Sequence, residues 1–144
     1  MSDEEVRALV EAGTVLRIEA DLAAARRDLF AAAKHVESAE LLASSDPTGG
    51  LALAYDAARK AIGAHMHARG LRVRKGPGEH VRTATYAAAA LDDSGITDHL
   101  DALDGIRRLR HQSEYGSRLI LPAELEVALL HARAILLAVE ADLE

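Results

Sequence analysis

Residues 15–39 read VLRIEADLAAARRDLFAAAKHVESA, and the placing of their apolar side chains decides the fold class. Val15, Ile18, Leu22, Ala25, Leu29, Ala32, Val36 and Ala39 follow one another at alternating steps of three and four. That spacing keeps one stripe on one side of a helix, so it predicts a long amphipathic helix running to about Ser44. A short leading helix precedes it, ended by Gly13-Thr14. Outward from this stretch, Pro47, Pro77 and Pro122 each fall where helical periodicity stops. The run Ser44-Ser45-Asp46-Pro47-Thr48-Gly49-Gly50 is dense in turn formers.

A second long helix is expected from Leu51 to Arg69. Its stripe of Ala54, Ala57, Ala61, Ala64 and Ala68 is made of small residues throughout, so its neighbour must lie close. Gly70 ends it in the manner of a left-handed terminal residue. The basic loop Arg72-Val73-Arg74-Lys75-Gly76-Pro77-Gly78 follows, then a third helix from about Glu79 to Leu91 and a turn at Asp92-Asp93-Ser94-Gly95. A fourth helix starts at Thr97 as N-cap, carries Leu100, Leu103 and Ile106 on one side, and ends at Tyr115-Gly116. The last begins with Pro122 at its first position. The architecture expected is all-α: one domain over residues 1–144, an antiparallel up-and-down bundle of four main helices plus a short extra helix.

Composition narrows the function. Apolar residues make up 49% of the 144, yet there are only three Tyr, one Phe and no Trp, so alanine and aliphatic side chains build the core. A net charge of −6 argues against a protein that coats DNA. The absence of cysteine removes disulfides, thiolate nucleophiles and Cys-containing zinc sites. The acidic start Met1-Ser2-Asp3-Glu4-Glu5 is unlike a secretory signal, and the apolar run 134–139 is too short to span a bilayer. The expected setting is cytoplasmic, without a membrane partner. Abundant arginine and missing asparagine point to a GC-rich bacterial coding sequence.

Three segments carry chemistry. In His65-Met66-His67 the two imidazoles lie two residues apart, about 200° around a helix, so they do not share an ion; no metal site and no cofactor is expected. Around the basic loop, Arg72, Arg74 and Lys75, with Arg69 and Arg82 at its flanks, concentrate charge where a helix N-terminus begins, a setting suited to an anion. The third segment is Arg107-Arg108-Leu109-Arg110-His111-Gln112-Ser113-Glu114-Tyr115-Gly116. Arg107, Arg110 and Glu114 share one side by spacing, while Arg108, His111 and Tyr115 share another. Arg110 borders the apolar stripe and needs a partner there: Glu114, four residues on, or the phosphate of a ligand.

The stretch Leu53-Ala54-Tyr55-Asp56-Ala57-Ala58-Arg59-Lys60-Ala61, the turn Arg69-Gly70-Leu71-Arg72 and the segment 107–116 together resemble the HEPN superfamily of small helical domains, in the bacterial branch whose helix-four motif ends in Glu-Tyr. The resemblance covers roughly residues 20 to 120. It implies a HEPN-like bundle, often a homodimer whose helix-four ends meet in a cleft that cuts RNA without metal in active members. Arg110 then matches the family's arginine and His111 the adjoining polar position, while Tyr115 stands where the catalytic histidine belongs. A phenol titrating near pH 10 is ill suited to moving protons at neutral pH. The expectation is therefore a homodimer binding a nucleotide or RNA phosphate through Arg107, Arg110, Tyr115 and the basic loop, without efficient catalysis. The alternatives are a metal-free endoribonuclease of toxin–antitoxin type using Arg110, His111 and Tyr115, and a structural module partnering a small nucleotidyltransferase or an antitoxin.

Overall fold

A computed structural model of the chain describes residues 2–92 and 95–144. Along them run α1 (Ser2–Glu11), β1 (Val15–Arg17), α2 (Leu22–Leu41), α3 (Pro47–Arg69), β2 (Leu71–Val73), α4 (Glu79–Ala90), α5 (Thr97–Tyr115) and α6 (Pro122–Asp142). The all-α class holds. Four helices are long, at 20, 23, 19 and 21 residues for α2, α3, α5 and α6. Two short helices accompany them rather than one, and β1 pairs antiparallel with β2 in a small ribbon. The turn expected at 92–95 falls partly on Asp93 and Ser94, which lie outside the described residues.

The first part of the long seam is strand, not helix. Val15 faces Val73, Leu16 faces Arg72 and Arg17 faces Leu71. The pairing extends at both ends, with Arg74 N donating to Thr14 O at 3.1 Å and Ile18 N to Gly70 O at 2.9 Å. The side chain of Asp21 then caps α2 by accepting from Ala24 N at 2.9 Å. Val15 is buried through strand alternation and Ala25, Ala32, Val36 and Ala39 through helical repeat, so two different structures meet one sequence pattern. At the next helix the opposite happens. Asp46 accepts from Gly49 N at 3.0 Å and Pro47 occupies the first turn, so α3 begins four residues before Leu51, inside the expected turn.

The central helix is α3, which packs most extensively on α2 and then on α6. Its expected small-residue stripe is buried at Ala54, Ala57, Ala61 and Ala64. Gly50 opens the first turn to α6, since a methyl there would come within 2.6 Å of Leu125 Cδ2. At the other end Gly70 adopts φ 70° and ψ 45°. A Cβ at that position would lie 2.8 Å from the carbonyl oxygen of Ile18 and 3.1 Å from the nitrogen of Ala20. The left-handed turn therefore brings β2 against β1 only because residue 70 has no side chain.

Gly70→Ala should lower stability by about 2 kcal/mol, the cost of left-handed backbone with a side chain plus the backbone contact, or roughly 4–8 °C in Tm. Circular dichroism melts check this. A melting temperature unchanged within about 1 °C would mean that the turn does not need glycine.

Candidate functional site

Between α3, α4, α5 and β2 lies a cleft of about 670 Å³. Its floor is apolar, built from Met66, Val73, Leu100 and Leu103. Tyr55, Arg59 and Arg107 line it from α3 and α5, and His80, Asp101 and Asp104 add polar groups from α4 and α5. The volume suits a small organic ligand, which pockets of roughly 300–1,000 Å³ hold.

The phenol of Tyr55 is the meeting point of the guanidinium groups. Burial pushes its pKa up, while Arg59, Arg107 and Arg110 act on it in the opposite direction. The Arg110 guanidinium carbon stands 5.7 Å from the ring centroid, within cation–π range. Each arginine also has an acid one turn away. Arg59 pairs with Asp56 at 3.5 Å, Arg107 with Asp104 at 3.1 Å, Arg108 with Asp104 at 3.0 Å, and Arg110 with Glu114 at 3.2 Å. Asp104 thus serves two arginines, with His80 Nε2 a further 3.9 Å from it. Arg110 Nε is buried without a hydrogen-bond partner.

The residues expected to form one site divide into three places. Arg107 lines the cleft. Arg110 stands beside it, against Tyr55, with the ion pair to Glu114 formed. His111 and Tyr115, one and two turns beyond Arg107 on α5, are not among the residues lining the cleft; their rings touch at a centroid distance of 4.8 Å, and Tyr115 is 76% exposed. Arg72 points to solvent between the buried Leu71 and Val73, and Arg74 and Lys75 are exposed in the loop after β2. That loop is organised by Arg82. Its guanidinium donates to the carbonyls of Arg74, Pro77 and Gly76 at 2.7, 2.9 and 3.2 Å. Within the same loop Glu79 N donates to Gly76 O at 3.1 Å.

His65 lies inside the structure. It is 0% exposed, and both ring nitrogens are engaged. Nδ1 lies 2.7 Å from Tyr86 Oη, and Nε2 lies 2.6 Å from Asp142 Oδ2. A carboxylate only accepts, so Nε2 carries the hydrogen and donates it, and Nδ1 accepts from the Tyr86 hydroxyl. Arg69 donates to the same carboxylate at 2.9 Å and to Asp3 at 3.3 Å. The chain of bonds ties α1, α3, α4 and α6 together. One sequence signal pointed here: His65 stands four residues after Ala61, on the stripe that had to be buried. Its partners carried none. Tyr55 and Arg59, within the resembling stretch, were not singled out as ligand groups, and the contact of His99 with His131 at 2.9 Å is set by the packing of α5 on α6.

Among the described residues no group of three or more His, Cys, Asp or Glu side chains is placed to hold a metal ion, and no helix is long and apolar enough to cross a membrane. No protein-family model matches the chain, and neither the curated proteins nor the solved structures contain a significant match.

Tyr86→Phe keeps the ring but leaves His65 Nδ1 buried without its donor. It should cost about 1–3 kcal/mol in urea unfolding, and no loss would contradict the bonding scheme. Burial lowers the pKa of His65 from its ordinary 6.5, against the opposing effect of its hydrogen bond to Asp142. The unfolded chain therefore takes the proton first, so stability from this group is complete above about pH 6.5 and is lost as pH falls below it. His131, lowered by burial and by His99, acts in the same sense. Wild-type Tm should fall between about pH 7 and 5, and His65→Gln should flatten part of that slope. An identical slope in the variant would exclude His65 as a source.

Proposed function

We propose that the protein binds a nucleoside phosphate in the cleft between α3, α4 and α5, and does not cleave it. The observation that carries this reading is that Tyr55, Arg59 and Arg107 line one cleft with an apolar floor, with the Arg110 guanidinium 5.7 Å from the Tyr55 ring beside it. A base fits the floor of Met66, Val73, Leu100 and Leu103, and a phosphate fits the guanidinium end. Asp101 and Glu79 on the lining accept from ribose hydroxyls or an exocyclic amine.

The sharing of Asp104 makes Arg107 the exchangeable group. When Arg107 turns to a phosphate, Asp104 keeps Arg108 at 3.0 Å and is not left unpaired. Binding rather than catalysis is supported by the exposure of Tyr115, which stands outside the cleft lining at the position where the resembling family carries its histidine. The resemblance to the HEPN motifs supports the same place, because Tyr55 and Arg59 of the first motif segment and Arg107 of the second all border this cleft. One chain supplies every residue the reading uses.

Calorimetric titration with nucleoside mono-, di- and triphosphates and a short single-stranded RNA tests it. Arg107→Ala should weaken binding roughly tenfold or more, the loss of a charge-assisted hydrogen bond, while Arg7→Ala on α1 leaves it unchanged. Equal losses in both variants, or no binding of any of these ligands, would sink the proposal. Single-stranded RNA incubated in EDTA should remain intact. Cleavage that His111→Ala abolishes would make the endoribonuclease the better reading.

A further inference from the structure

Two apolar faces run along α6. The inner one, with Leu125, Ala128, Ala132, Ile135 and Val139, is buried in the core. The outer one carries Val127, Leu130, Ala134, Leu137 and Ala141, again at alternating steps of three and four. Val127, Leu130 and Leu137 are 57%, 55% and 66% exposed. A helix that is apolar all round belongs inside a structure, so a stripe of this kind on the surface marks a contact.

The outer face is not uniform. Its first half is a ridge, with Val127 and Leu130 standing out. Its second half carries Leu137 beside a groove of about 560 Å³, which Leu137 lines together with Ala134, Ala138, Ala141, Ile96 and His99. We propose that this face is the interface of a homodimer, in which α6 of two copies packs antiparallel and the ridge of each lies in the groove of the other. Leu130 then faces the partner's Ala134, large against small, and Val127 enters the hole bounded by the partner's Ala134, the partner's Leu137, the partner's Ala138 and the partner's Ala141.

A second copy fits better than a foreign helix because ridge and groove occupy opposite ends of one element. A two-fold axis across the middle of α6 fills both at once, which is the self-complementarity such an axis demands. Charge agrees with this. Beside the axis stands Arg133, bonded to Glu40 of α2 at 2.7 Å. Two copies bring two such pairs together as four charges of alternating sign, so the −6 of each chain does not oppose the contact locally. Three large apolar side chains exposed in one row, Val127, Leu130 and Leu137, make the kind of contiguous patch that marks a contact.

Light scattering at micromolar concentration should give twice the 15.3 kDa of one chain. Leu130→Glu should halve that mass while leaving the helical circular dichroism of the chain unchanged, since the side chain is exposed in the monomer. The protein has no cysteine, so introduced thiols report alone. Val127→Cys combined with Leu137→Cys should give a covalent dimer on mild oxidation, and neither single variant should. A monomer mass for the wild type would overturn the proposal. So would a dimer that survives Leu130→Glu, a dimer lost on Tyr115→Ala instead, or cross-linking by either single cysteine.

Discussion

The hydrogen bond between the buried imidazole of His65 and the carboxylate of Asp142, 2.6 Å long, is where the separate parts of this fold are joined. His65 belongs to the central helix and Asp142 to the last residue of α6, while the other ring nitrogen holds Tyr86 of α4. Burying an imidazole, a phenol and part of a carboxylate is costly unless every donor and acceptor is matched. Here they are, with Arg69 completing the carboxylate's set. Burial alone pushes Asp142 up, yet the bonds from His65 and Arg69 outweigh it and hold the carboxyl below its usual range. The arrangement has a definite geometry, so α4 sits against α3 in one position, and that position shapes one wall of the cleft.

Much of the helical architecture was legible in the residues. The capping glycine at 70, the proline at the start of α6 and the alanine stripe on α3 each have a local cause and behave as local causes predict. What failed was the reading of Val15 and Ile18. Their spacing continues the helical repeat of α2, but their hydrogen bonds go to Gly70 and the strand after it, more than fifty residues away along the chain. Periodicity records which residues are buried, not which backbone geometry buries them. Asp46-Pro47 was misread for the reverse reason: turn formers were taken as loop although their order is that of a helix start.

The candidate site shows the same division. Arg107 and Arg110 stood out because a cationic run on one helix is visible from spacing, and the Arg110–Glu114 pair is the four-residue partnership the spacing offered. The cleft itself was invisible. Its floor comes from α3, β2 and α5 together, and His80 and Asp104 approach each other only after α4 docks on α5. The basic loop was legible as charge, while its internal bonding was not. Its charge is real, but Arg82 binds the loop's own carbonyls, and Arg72 lies on the solvent side of a strand.

The alanine-lined contact between α2 and α3 bears on how this chain tolerates mutation. Ala25, Ala32 and Ala39 on one helix and Ala54, Ala57 and Ala61 on the other are all buried. Alanine has no rotamers to lose, so this seam forms at almost no side-chain entropy cost, while the two backbones approach closely. The same economy leaves no slack. A leucine core answers a lost methylene with a cavity and an added one with a shifted rotamer; an alanine seam answers enlargement only by moving a whole helix. Drift along these positions is therefore one-sided, open to glycine or serine and closed to anything broader. The exposed positions of the same two helices are free to diverge, so sequences sharing this fold would keep a pattern of small residues long after their surfaces had ceased to look alike.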